Sequence, residues 1–371
     1  MTTRPARETR GHSPTPVNSH RYARHVTLPG IGVAGQRALL GARVLCVGAG
    51  GLGSPVIQYL AAAGVGTLGI IDGDTVEESN LQRQVVHSMQ AVGKAKVASA
   101  AQWVAGMNPD VTVDHYNLRL TDGNIVEIVS RYDIVVDATD NFATRYLISD
   151  HCADLGIPVV WGAVYRFEGQ VSVFAEGYTL RDVYAEPPTE AQSCADAGVL
   201  GVLPGVIGTM MAGEVIKLIT VVGEPLVGRI GIWDGARATF RTVRFERSEA
   251  SESLRHTQPP ELSCGVESPT SVRAVSVEQW QELVASGVTL IDVREPHEWR
   301  GGALGQPVFA PLSALRNDDF SSVAQLDRKH PIAVYCAAGA RSRVAALLLE
   351  EAGFSDVTSL DGGITAWWMR D

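Results

Sequence analysis

The feature that most constrains this fold is a glycine turn between two apolar segments of different period. In ARVLCVGAGGLGSPVIQYLAAAG (Ala42–Gly64), Val44, Leu45, Cys46 and Val47 form a short continuous apolar run. Val56, Ile57, Leu60 and Ala61 then recur at helical spacing. Strand, glycine turn and helix in that order let Gly48, Gly50, Gly51 and Gly53 bring backbone close to an anion at a helix N-terminus. Asp72 closes the next apolar run, GTLGIIDGDTV, where an acid can grip ribose hydroxyls. Taken alone, this pattern predicts a nucleotide, with NAD as the default ligand.

YDIVVDATDN and IPVVWGAV supply further strands, and the alternation in GQVSVF is expected to turn the sheet mixed. Strands alternating with helical segments predict an α/β, doubly wound, Rossmann-like domain. Arg247–Ser271, rich in Ser, Glu, Pro and Thr, reads as a linker. A second, smaller α/β pattern follows in VTLIDVRE, PIAVYCAAGARSRVAALLLEEAG and VTSLDGGITAWW. The expected division is a flexible tail over 1–20, a first domain over 21–246, a linker over 247–271 and a second domain over 272–371.

With a net charge of -10, a broad nucleic-acid groove is not expected. Five cysteines without a CxxC pair read neither as a disulfide framework nor as a zinc ribbon. No apolar run is expected to reach membrane-spanning length, and the N-terminal stretch lacks the apolar segment of a secretory signal. The expected location is the cytoplasm, with no membrane partner.

Three features argue against NAD. SNLQRQ places Ser79, Asn80, Leu81, Gln82 and Arg83 directly after the acidic strand end. GKAK sets Lys96 at the start of a helix, and DATDN sets Asp140 and Asn141 at the end of a strand. A triphosphate needs such a set: Arg83 and Lys96 to neutralise a leaving pyrophosphate, Asp140 to hold Mg²⁺.

RYARH (Arg21–His25), GAGGLG, DGDTVEESNLQRQ, GKAK and DATDN, in that order and spacing, resemble the ubiquitin-activating-like adenylyltransferases of molybdopterin and thiamine biosynthesis. The resemblance covers about Arg21 to Phe245. It implies that Gly48, Gly50, Gly51, Gly53, Asp72, Ser79 to Arg83, Lys96, Asp140 and Asn141 bind ATP and Mg²⁺. It implies that Arg24 reaches a partner subunit's nucleotide, making the enzyme a homodimer. The substrate it implies is a small ubiquitin-like sulfur-carrier protein ending in Gly-Gly, adenylated on its terminal carboxylate.

In that family a cysteine in the stretch corresponding to SCADAGVLGVLPG forms a transient link during sulfur transfer, which implies that role for Cys194. Cys46 and Cys152 read as core thiols. Many relatives hold a structural Zn²⁺ with two CxxC pairs. Here Leu180, Arg181, Asp182 and Val183 stand in place of the first pair, and the second region keeps only Cys264. No zinc is therefore expected, with the loops closed by packing instead.

IDVREPHEW, CAAGARS (Cys336–Ser342) and LDGGITAW resemble a rhodanese sulfurtransferase domain over roughly Val272 to Asp371. The C-x4-R spacing suits a cysteine persulfide on Cys336, with backbone N–H groups and Arg341 easing the negative charge. Asp292 and Arg294 read as bracing residues. The fused arrangement resembles the molybdopterin-synthase adenylyltransferase/sulfurtransferase proteins, and it implies adenylation followed by sulfur transfer to give a thiocarboxylate. The sulfur donor would be a persulfide or thiosulfate. Two other readings stand beside it: adenylation alone, with the second domain used for docking, and a nucleotide-dependent scaffold.

Overall fold

A computed structural model describes residues 17, 20–186, 198–256, 272–296 and 298–370. They fall into two compact units, one formed by residues up to 256 and one by residues from 272.

The first unit holds an eight-stranded sheet in the order β3-β2-β1-β4-β5-β6-β7-β8. Its parallel half contains β1 (Arg43–Val47), β2 (Thr67–Ile71), β3 (Thr112–Tyr116), β4 (Ile134–Asp137) and β5 (Val159–Tyr165). From β5 the sheet turns antiparallel through β6 (Glu168–Phe174), β7 (Arg229–Asp234) and β8 (Thr239–Arg244). The sheet is mixed, as the alternation in GQVSVF predicts.

Five longer helices flank these strands: α1 (Gly32–Gly41), α2 (Gly53–Ala63), α3 (Lys96–Met107), α4 (Phe142–Asp154) and α5 (Val202–Thr220). Strand residues alternate between two cores. Val44, Cys46, Ile70 and Val136 face a core shared with α2, α3 and α5, while Leu45, Val47, Ile71 and Val135 face one shared with α4. The 3.6-residue and two-residue periods thus meet on the same sheet.

Helix α5 corrects one expectation. Its 19 residues are long and apolar enough to cross a membrane by length and composition. It is instead a core helix: Leu203, Ile207, Met211, Ala212 and Val215 are buried against the sheet, and Glu214 forms an ion pair with Lys217.

The segment Leu180–Asp182, where the sequence lacks the first expected thiolate pair, is closed by charge rather than by packing alone. The Arg181 Nε and Nη2 groups donate to both oxygens of Asp150 at 2.9–3.1 Å, with both side chains 3% exposed. Asp150 also accepts the His256 backbone N–H at 3.0 Å, and Asp182 accepts that of Ser248 at 2.8 Å. Arg247–His256, which composition assigns to the linker, is therefore tied to the first unit. These donors cannot form a tetrahedral thiolate site. Cys264 lies outside the described residues.

The second unit is a five-stranded parallel sheet in the order β11-β10-β12-β13-β9. Its strands are β9 (Arg273–Val275), β10 (Thr289–Asp292), β11 (Val308–Phe309), β12 (Ile332–Tyr335) and β13 (Val357–Leu360). Three helices of six or more residues accompany it: α6 (Val277–Ala285), α7 (Ala340–Glu351) and α8 (Gly363–Trp368). It has its own cores, one around Ile291, Val334 and Leu349, the other around Trp280, Tyr335 and Leu360.

Candidate active site

The strand order reverses between β1 and β4, and that reversal opens a crevice at the carboxyl ends of the parallel strands. The register aligns Val47 with Ile71 on one side and with Asp137 on the other. Gly48, Asp72 and the Ala138–Asn141 turn therefore leave the sheet along one edge.

Two of the four glycines are required by the turn itself. Gly48 has φ +97°, and a Cβ there would sit 2.8 Å from the Ala138 carbonyl oxygen. At Gly53 a Cβ would fall 1.9 Å from the Gly48 carbonyl oxygen. A Cβ on Gly50 would meet nothing nearer than Gln84 Nε2 at 3.7 Å, while one on Gly51 would press on Pro204 and approach the stem of Arg83.

Asp72 binds the turn directly. One carboxylate oxygen accepts the Ala49 N–H at 2.8 Å and the other accepts the Asp74 N–H at 2.9 Å. Lys96 opens helix α3, 7% exposed, with its ammonium 3.2 Å from Asp74 Oδ2. The Arg119 guanidinium reaches the other Asp74 oxygen. Asp74 thus holds the buried lysine charge in place.

Asn80 is buried, its Oδ1 accepting the Glu77 N–H, and Arg83 donates to the Ser79 carbonyl at 3.3 Å. Leu81 is half-buried; Gln82 is exposed and lies against Gly201 just before α5. Asn141 is the N-cap of α4, its side chain accepting the Thr144 N–H at 2.9 Å. Asp137 shapes the preceding turn by accepting both the N–H and the hydroxyl of Thr139, and burial pushes its carboxyl up against the pull of Arg145.

Asp140 is exposed at this edge. No group of three or more metal-ligating side chains occurs among the described residues. An exposed carboxylate at the edge where the glycine turn leaves the sheet fits Mg²⁺, which takes few protein ligands and completes its shell with a ligand's phosphates and water. Arg24 is exposed on a short helical turn anchored by Tyr22, whose buried ring packs on Gly64 and whose hydroxyl meets Asn108.

Sequence reasoning missed His87. It is 7% exposed, with Nε2 2.9 Å from the Ala49 carbonyl oxygen and Nδ1 2.9 Å from Ser99 Oγ. Only its position three residues after the SNLQRQ motif was visible in the sequence. A cavity of about 480 Å³ lined by Val171, Met210, Glu214, Lys217, Arg229 and Phe240 touches none of the candidate residues.

In the second unit Cys336 follows β12 directly and is fully buried. The Gly339 N–H donates to its sulfur at 3.1 Å. Gly339, at φ +94°, is the N-cap of α7, so the loop curls toward the sulfur and then enters the helix. Arg341 does not stand free beside that sulfur: its two terminal nitrogens donate to Glu298 at 2.6 and 2.8 Å. Asp292 and Arg294 form a buried pair at 2.6 Å, and Arg294 also donates to the Gly302 carbonyl. Ser342 and Ser359, both fully buried, join the loop to β13 by a 2.9 Å hydrogen bond.

The other described cysteines lack such a setting. Cys46 lies within β1 and Cys152 within α4, and burial pushes the Cys152 thiol up to about 12 and the Cys46 thiol higher still. Cys194 falls outside the described residues.

A glycine turn at a strand-order reversal, joined in one chain to a cysteine loop at a helix N-terminus, defines an α/β enzyme that handles a nucleotide in one unit and sulfur in the other. The chain belongs to the ThiF family, which matches residues 22–254, and a rhodanese-like domain matches residues 276–370. It is 41% identical over 362 residues to the probable adenylyltransferase/sulfurtransferase MoeZ of Mycobacterium tuberculosis, covering 94% of this chain and 92% of that one. It is 46% identical over 237 residues to the sulfur carrier protein adenylyltransferase of Thermus thermophilus, covering 62% and 88%. A crystal structure of E. coli MccB with MccA-N7isoASN shares the fold at TM-score 0.56 and 22% identity, covering 62% and 73%. The protein is an enzyme with adenylyltransferase and sulfurtransferase activities, and ThiF membership implies ATP as its nucleotide.

Proposed function

We propose that this enzyme adenylates the Gly-Gly carboxylate of a ubiquitin-like sulfur-carrier protein and then converts it to a thiocarboxylate. The observation that carries the reading is the presence, in one chain, of a glycine turn held by Asp72 with Lys96 buried against the neighbouring Asp74, and of a backbone N–H aimed at Cys336 Sγ.

In the first step the carrier carboxylate attacks the α-phosphorus of ATP. An acyl-adenylate forms and pyrophosphate leaves. The glycine-turn N–H groups, Arg83 and Lys96 neutralise the phosphates, and Asp72 keeps the turn in shape through Ala49. Asp140 would hold Mg²⁺, which supplies further neutralisation of phosphate charge. Asn141 caps the helix beside it. Arg24, exposed and carried on its own turn, is suited to reach a partner subunit in a homodimer.

In the second step the Cys336 thiolate attacks the outer sulfur of a persulfide or thiosulfate donor, forming the Cys336 persulfide and releasing the donor's thiolate or sulfite. The terminal sulfur of the Cys336 persulfide attacks the acyl carbon, AMP leaves, and an acyl disulfide joins carrier and enzyme. A Cys194 thiolate then attacks the Cys336 sulfur, releasing the carrier thiocarboxylate and leaving a Cys194–Cys336 disulfide. A dithiol reductant resets both cysteines.

Intact mass of a Gly-Gly-terminated carrier after incubation with enzyme, ATP, Mg²⁺, thiosulfate and dithiol is the test. Exchange of oxygen for sulfur adds about sixteen daltons. AMP formation with no such gain would leave adenylation and remove the sulfur-transfer reading.

A further inference from the structure

His87 lies outside every motif so far given a role, yet it is bound on both sides. Its Nε2 can only donate to the Ala49 carbonyl, so in the neutral ring Nδ1 accepts from the Ser99 hydroxyl. Ser99 lies on α3, three residues after Lys96, so one buried ring joins the glycine turn to the helix that carries the lysine.

The consequence for the turn follows from peptide geometry. In a trans peptide the C=O and the next N–H point in opposite directions, and no cis bond occurs among the described residues. The Ala49 N–H is held by Asp72 and the Ala49 C=O by His87. Fixing that carbonyl on the His87 side aims the Gly50 N–H to the opposite side of the peptide, and the turn is uncrowded at this residue, where an added Cβ would meet nothing nearer than Gln84 Nε2 at 3.7 Å. Ser54 does the same for the next peptide: its N–H and hydroxyl hold the Gly50 carbonyl at 2.9 and 2.7 Å. A carbonyl turned outward here would instead present an oxygen to a phosphate.

We propose that His87 is a positioning residue for the adenylation reaction, setting the Gly50 peptide plane so that its N–H faces a nucleotide phosphate. The inference rests on the reading of this turn as the ATP site. Burial holds the imidazole below its ordinary value, which keeps the neutral ring in place at physiological pH.

The test is calorimetric binding of Mg²⁺–ATP and of adenosine to the full chain, comparing wild type, His87→Ala and His87→Gln. The Gln amide can place an N–H where Nε2 stands. His87→Ala is expected to weaken ATP about tenfold, as loss of one hydrogen bond that orients a charge-binding group would, while adenosine binding is unchanged. His87→Gln should restore most of the ATP affinity. Equal losses for ATP and adenosine, no loss for either, or a Gln variant no better than Ala would overturn the proposal. Wild type that binds no ATP would overturn the parent reading as well. Adenosine affinity and the melting transition of the first unit, which holds His87, serve as the folding control and should stay close to wild type in His87→Gln.

Discussion

Glu298 holds Arg341 by both terminal nitrogens, at 2.6 and 2.8 Å, across 43 residues of chain. The guanidinium side chain is 8% exposed and the carboxylate 20%. Glu298 is itself fixed, because its Oε2 accepts the Glu295 N–H at 2.9 Å. The loop arginine is therefore oriented by a carboxylate before any sulfur anion forms. A planar fork is needed for such a bidentate pair, and an ammonium cannot supply it.

Glu298→Ala removes the bidentate carboxylate from a largely buried guanidinium, at a cost of about 2–3 kcal/mol. The expected outcome is a lower melting temperature for the rhodanese-like unit and slower thiosulfate–cyanide transfer. Arg341→Lys should lose most of the same activity. Wild-type melting and transfer rate in Glu298→Ala would mean that the pair does not organise the loop.

The Arg181–Asp150 pair leads to a second expectation. Removing one partner of an ion pair buried to this degree costs about 3–5 kcal/mol, because the remaining charge stays buried. Asp150→Asn should therefore lower the melting temperature of the first unit sharply. Prolonged treatment with a strong zinc chelator should not. A chelator-sensitive melting transition, or stoichiometric zinc in the purified enzyme, would show that thiolates elsewhere in the chain close these loops.

These pairs also show what the sequence could and could not disclose. The glycine turn, the Asp72 strand end, the start of α3 at Lys96 and the Cys336 loop were all legible, because each depends on spacing within a few residues. His87 and Ala49 are 38 positions apart, Arg181 and Asp150 are 31, and Arg341 and Glu298 are 43. Nothing local marks such partners; the sheet order brings them together. Asn141 shows a different limit. Its motif suggested a ligand, while the structure also gives it an N-cap bond that any Asn before a helix would make. Helix α5 was underestimated, since its length and apolarity do reach those of a membrane span although it is a core helix packed on a sheet.

Acid should destabilise the first unit through His87. Burial, with a smaller push from the Lys96 charge, lowers its pKa, while its bond to Ala49 and the Asp72 charge oppose the shift. The unfolded chain therefore binds a proton at higher pH than the native one does. The stability contributed by the neutral ring is full above the ordinary imidazole value of about 6.5 and is lost as pH falls below it toward the native value. Melting temperatures of wild type and His87→Gln between pH 8 and pH 5 provide the check: the wild-type curve should fall more steeply below about pH 6.5. Parallel curves would place the acid sensitivity elsewhere.

The two half-reactions should separate cleanly by substitution, because each unit has its own cores. Lys96→Ala removes a buried ammonium but leaves Asp74 paired with Arg119, and the Lys96 backbone N–H still donates to the Asp74 carbonyl. The fold should survive while carrier-dependent ATP–pyrophosphate exchange falls by about a hundredfold or more, as loss of a charge-neutralising donor at a phosphoryl site does. Thiosulfate–cyanide transfer should stay at the wild-type rate in that variant. Cys336→Ala should do the reverse, abolishing sulfur transfer while exchange continues. Both activities falling together in either variant would mean that the units act as one site, and mixing the two variants then discriminates further: recovered thiocarboxylate would show sulfur passing between chains.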